Sequence, residues 1–149
     1  MDVDAKFPSL SSFVQRKRKR TLNEYGKDGE LKNDDYWSLK SSCWAVLSDQ
    51  RKWRDGPHQT LNTLDEYIRC LPPTTPVHEI ITGICAEKKS EFLDTVVEAT
   101  WALQFWANGV NVNLKQPFGP KNRKGETRKN ADFVVTLDGI KYWLDATSI

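Results

Sequence analysis

The dipeptide Asp138-Gly139 lies inside Ala-Asp-Phe-Val-Val-Thr-Leu-Asp-Gly-Ile-Lys-Tyr-Trp-Leu-Asp-Ala-Thr, residues 131 to 147, and constrains this chain more than any other feature. A two-residue primed turn needs positive φ at both central positions, and Asp-Gly is among the strongest short signals for one. With those residues as the turn, Leu137 faces Ile140 and the register of a whole hairpin follows. One face then carries Phe133, Val135, Leu137, Ile140, Tyr142 and Leu144, with Ala146 just beyond, and is expected on the core. The other carries Asp132, Val134, Thr136, Lys141, Trp143, Asp145 and Thr147. A slip of one residue would bury the acids, which pins the register.

In that register Asp132 opposes Asp145, with Cβ atoms about 4.5–5.5 Å apart. Like charges directly opposed destabilise a sheet, and a divalent cation would remove the conflict. Mg²⁺ (or Mn²⁺) is suited to the place, because it takes one or two carboxylates together with waters and phosphate oxygens. The plainer alternative is two acids on a solvated face, although Val134 and Trp143 between them point to partial cover.

Upstream, the spacing predicts a helix from about Glu87 to Ala107, with Phe92, Val96, Val97, Trp101 and Phe105 on its buried face and Gly109 ending it. Glu91, Asp94 and Glu98 share a stripe on this helix. Val110, Val112 and Leu114 alternate with Asn111, Asn113 and Lys115, the pattern of a half-buried strand. Residues 116 to 130 read as a polar loop, in which Lys121, Arg123, Lys124, Arg128 and Lys129 face one acid, Glu126.

The order helix Glu, Gly, strand, loop, acid, hairpin, acid resembles the PD-(D/E)xK, or restriction endonuclease-like, nuclease superfamily. The resemblance is greatest to archaeal Holliday junction resolvases and the restriction-like endonuclease domain of non-LTR retrotransposons. It covers residues 91 to 148 and rests on a short, degenerate motif. It implies an α/β fold whose core is one helix and a three-stranded mixed sheet, truncated here, with Glu98, Asp132 and Asp145 in the three acidic places. It also implies Mg²⁺ or Mn²⁺ as cofactor and nucleic acid, DNA foremost, as substrate. Ala131 stands where the family usually has Pro, which shapes only the backbone. Thr147 stands where the family has its catalytic Lys. Lys115, on the polar side of the first strand, is the candidate replacement, and Lys129 is the second. Lys141 shares the acidic face but lies roughly 13 Å along the strand from Asp145.

The remainder of the chain divides into a disordered basic tail (1–32), a helical region (33–85) and the nuclease-like core (86–149). The tail holds Arg16-Lys17-Arg18-Lys19-Arg20, a run that suits either a nuclear address or a nucleic-acid clamp. Asn33-Asp34-Asp35 can cap a helix that stops before Gly56-Pro57. Thr63-Leu64-Asp65-Glu66 has the capping-box pattern for a helix to Leu71, and Thr75 can cap a third with Pro76 at its first position. His58 and His78 read as loop and helix-surface residues. Cys43, Cys70 and Cys85, odd in number and widely spaced, read as reduced core thiols. Hydrophobic residues at 38% allow a packed core, and no apolar run reaches the ~18 residues of a membrane span. A soluble, intracellular protein is expected.

The sequence therefore points to metal-dependent phosphodiester hydrolysis. Glu98, Asp132 and Asp145 would hold the metal, Lys115 would contact the phosphate, and the 121 to 129 basic cluster would hold the backbone. Two alternatives stay open: a nuclease-like binding module without turnover, and a fragment whose open sheet edge pairs with a partner, a second copy included.

Overall fold

Alternating strands joined by tight turns dictate the sheet of this protein. The computed structural model describes residues 3–14, 43, 46, 58–121, 124 and 127–147. The fold is mixed α/β. Strands β1 (Asn111–Lys121), β2 (Thr127–Leu137) and β3 (Ile140–Leu144) form an antiparallel meander in the order β1-β2-β3. The mixed sheet expected from the resemblance is not present among the described residues. Neighbouring strands joined by short turns must run antiparallel, since a parallel pair needs a long crossover.

The hairpin register is the one the turn dictates: Leu137 pairs with Ile140, Val135 with Tyr142 and Phe133 with Leu144. Asp138 and Gly139 both take positive φ, 52° and 78°. Two expectations about the sheet fail. Residues 116 to 130 are not a loop: β1 continues to Lys121 and β2 starts at Thr127, with Gln116 paired to Ala131 and Pro117 to Asn130. A ribbon held by backbone hydrogen bonds needs no apolar alternation, and Pro117 is tolerable because β1 is an edge strand. The expected core face of the hairpin is also only half buried. Phe133 and Val135 are 2% exposed, whereas Leu137, Ile140, Tyr142 and Leu144 are 38–56% exposed. Alternation shows which face is apolar. It does not show whether a second layer lies on it.

Four helices are described: α1 (Val3–Lys6), α2 (Gln59–Arg69), α3 (Val77–Ile84) and α4 (Lys89–Ala107). Residues 8–14 are also helical. Phe7, Leu10, Phe13 and Val14 are buried in the main core, and the Leu10 amide donates to Asp65 Oδ1 at 2.9 Å. The disordered-tail expectation therefore fails for residues 3–14, where apolar residues three and four apart make a packing face. The basic run Arg16 to Arg20 lies outside the described residues. So does the helix expected from Asn33, apart from Cys43 and Val46, which are helical.

Helix α2 begins earlier than the capping box suggested, because His58 caps it: its Nδ1 accepts from the Thr60 amide at 3.2 Å. Pro76, not Thr75, holds the cap position of α3. In α4 the buried residues are Phe92, Thr95, Glu98, Ala99 and Ala102, while Trp101 is 52% exposed. Ala99 and Ala102 are fully buried, so small side chains hold much of the inward face. Gly83 of α3 lies against Thr95 of α4, and a Cβ at 83 would run into the Thr95 hydroxyl. On the sheet side, Phe105 meets Phe133 edge to face at 5.9 Å. Of the three thiols Cys43 is buried, Cys85 intermediate and Cys70 exposed, so Cys70 is not a core residue. No described helix is long and apolar enough to cross a membrane.

Candidate active site

Three elements deliver one charge each to a single point. Glu98 lies on the buried stripe of α4, Lys115 in mid β1 and Asp132 near the middle of β2. Lys115 Nζ donates to Glu98 Oε1 at 2.9 Å, lies 2.8 Å from Glu98 Oε2, and donates to Asp132 Oδ1 at 2.9 Å. The side chains of Glu98, Lys115 and Asp132 are 10%, 13% and 18% exposed. Charges are rarely buried so far unless paired.

The backbone is bent to make this meeting. Lys115 has φ 54°, a left-handed conformation that costs a non-glycine residue about 1 kcal/mol or more. The β1–β2 ladder accordingly passes from Leu114↔Phe133 to Gln116↔Ala131, with Lys115 between.

Asp145 joins the group by another route. Ladder pairing ends at Leu144, and the Asp132 amide donates to Asp145 Oδ1 at 3.2 Å. In return the Ala146 amide donates to Asp132 Oδ2 at 2.9 Å. The two carboxylates are neighbours across the hairpin, as expected. The conflict between them is relieved by backbone amides and by the Lys115 ammonium on Asp132.

Burial dominates the electrostatics. It pushes the Glu98 carboxyl up to about 7 against the opposing pull of Lys115, and Asp132 adds to the rise. Burial alone would lower the Lys115 pKa, but Glu98 and then Asp132 outweigh it and the net direction is upward. Sequence reasoning missed Tyr67, which looked like any aromatic at helical spacing. Its ring is fully buried and stacks on Trp106 at 6.1 Å. Its hydroxyl has no hydrogen-bond partner among the described residues, and its pKa is raised by burial and then by Glu98 and Asp132. A buried donor without a partner costs about 1–3 kcal/mol and asks for an explanation, such as a bound oxygen.

A cleft of about 410 Å³ between α3 and α4 reaches the site. It is lined by Glu79, Glu91, Asp94, Glu98 and Lys115 among others. Glu79 is tied to the sheet through Asn130, whose Nδ2 donates to its Oε1 at 2.5 Å.

The basic residues are placed less closely. Lys121 lies on β1, Arg128 and Lys129 on β2, and Lys124 is exposed between the strands; Arg123 is outside the described residues. Lys121, Lys124, Arg128 and Lys129 mark the far arm of the β1–β2 ribbon, away from the Asp138-Gly139 turn.

Hard carboxylate oxygens suit Mg²⁺ or Mn²⁺ in kind. Among the described residues, however, no group of three or more His, Cys, Asp and Glu gathers closely enough to hold a metal ion. The cation shared by Glu98 and Asp132 is Lys115. Comparison with protein-family models, curated proteins and solved structures finds no match to this chain.

Proposed function

We propose that this chain is a metal-dependent endonuclease that hydrolyses phosphodiester bonds in DNA, with α4 and β1–β3 as a restriction endonuclease-like core. The observation that carries the reading is the junction of Glu98, Lys115 and Asp132, with Asp145 bonded to Asp132. Packing alone gives no reason to bury three charges on a strained backbone, and strained, buried, titratable groups cluster at functional sites.

In this reading Glu98 and Asp132 offer the inner oxygens and Asp145 supports Asp132 from across the hairpin. When bound, Mg²⁺ or Mn²⁺ would supply a water of lowered pKa and a counter-charge for the phosphate. Lys115, on β1 beside the acids, would turn its charge toward the phosphate when metal is bound, taking the part the superfamily gives to the Lys for which this chain has Thr147. Lys121, Arg123, Lys124, Arg128 and Lys129 would hold the nucleic-acid backbone through salt-dependent, sequence-independent contacts.

Cleavage of labelled duplex, junction and single-stranded DNA with Mg²⁺ or Mn²⁺ tests this. Asp132→Asn and Asp145→Asn are expected to abolish cleavage and leave DNA binding intact, and Glu98→Gln to weaken cleavage less. Cleavage that persists in excess chelator contradicts the metal mechanism. A second reading, a nuclease-like nucleic-acid-binding module without turnover, is favoured by Thr147 and by the engagement of both inner acids with Lys115. Binding without cleavage on every substrate would select it.

A further inference from the structure

The ammonium of Lys115 stands where a cation bridging Glu98 and Asp132 would stand. It contacts three carboxylate oxygens at 2.8–2.9 Å. A divalent metal drawing on the same oxygens would sit at about 2.0–2.1 Å from them. The two cations would compete for the same lone pairs and repel each other at contact distance, so both cannot be seated at once.

The fold also offers the ammonium a second place. Lys115 and Glu98 line the α3–α4 cleft, and farther along it are Glu79, Glu91 and Asp94. A lysine stem has four flexible carbons and a head that binds as a point charge. Rotation of the side chain can therefore turn the charge off the acid pair and toward the acid-lined cleft, while the left-handed backbone at 115 stays as it is.

We propose that Lys115 is a tethered counter-ion sharing one seat with the divalent metal: metal entry displaces its ammonium into the α3–α4 cleft, and the ammonium's return expels the metal. This rests on the metal reading above and deepens it. Lys115 keeps the acids neutralised and in place without metal, and it sets a threshold of metal concentration below which the site stays in its resting form.

The full chain and its Lys115→Met variant, titrated with Mn²⁺ by calorimetry, test the idea. The variant is expected to bind Mn²⁺ at least about tenfold more tightly, because a like charge at contact distance has gone. Equal or weaker Mn²⁺ binding by a folded variant overturns the shared seat. Should Lys115→Met not fold, amine acylation of the wild type read by mass spectrometry replaces it. Lys115 is expected to be protected without metal and labelled at saturating Mn²⁺; labelling that does not change with Mn²⁺ overturns the proposal. Tighter Mn²⁺ binding by the variant, with no DNA cleavage by the wild type, supports the shared seat and removes the nuclease reading. Metal-dependent cleavage by the wild type, with unchanged Mn²⁺ affinity in the variant, does the reverse.

Discussion

Asp132 and Leu137 lie on the same strand, and their surroundings invert the usual rule. At the Asp132 end the molecule buries a carboxylate with Glu98 and Lys115. At the Leu137 end it leaves Leu137 and Ile140 exposed, and along β3 it leaves Tyr142, Trp143 and Leu144 exposed as well. Hydrophobic burial alone would place these the other way round. The difference lies in what each end meets. The Asp132 end meets α4, where Glu98 and the bent backbone of Lys115 complete an ion triad. The β3 end is an edge strand exposed along its whole length. Burial here follows the available partner more than side-chain polarity.

The largest expected effect breaks the comparison at its charged end. Lys115→Met leaves two buried carboxylates without their cation and should cost about 3–5 kcal/mol in metal-free chemical denaturation. A loss below about 1 kcal/mol would mean that the triad behaves like a surface ion pair.

Acidity should sharpen the same end. Burial raises the folded-state Glu98 carboxyl from 4.5 to about 7, so the folded state holds this proton more tightly than the unfolded chain. The resulting stability is fully present below the unfolded value and is lost as pH rises through about 7. The expected fall over that window is roughly 1–3 kcal/mol, and Glu98→Gln should flatten it. A denaturation series across the window in both proteins decides. A rise with pH that Glu98→Gln removes would reverse the sign and refute the burial argument.

The smallest effect belongs to the exposed end. Ile140→Thr and Tyr142→Thr keep residues that suit a strand and should change stability by no more than about 0.5 kcal/mol. Losses several times larger, measured by the same denaturation, would show that a layer covers β3 after all.

The parts of the fold that local chemistry dictates were legible in the sequence. Asp138-Gly139 defined the hairpin register, and apolar spacing followed by Gly109 located α4 and its end. The pairing of Lys115 with Glu98 and Asp132 had only an indirect sign, a lysine on the polar side of a strand. The left-handed turn of its backbone leaves no mark in composition. Residues 116 to 130 misled because a ribbon arm with polar side chains has the composition of a loop. Trp101 misled because size suggests burial, whereas the fully buried places went to Ala99 and Ala102. Tyr67 had no signal at all, since the absence of a hydrogen-bond partner is a property of the packed structure.

Gly83 carries no charge and touches neither Glu98 nor Asp132 in sequence or chemistry. Yet the walls of the cleft beside Lys115 are α3 and α4, and at Gly83 they meet with no room for a methyl group against Thr95. One hydrogen atom in place of a side chain thus works as the shim that sets the width of the passage. A side chain there would have to turn the Thr95 hydroxyl aside or part the two helices, and either changes the cleft beside Lys115. A site of ions is gauged, at a distance, by the thinnest part of its frame.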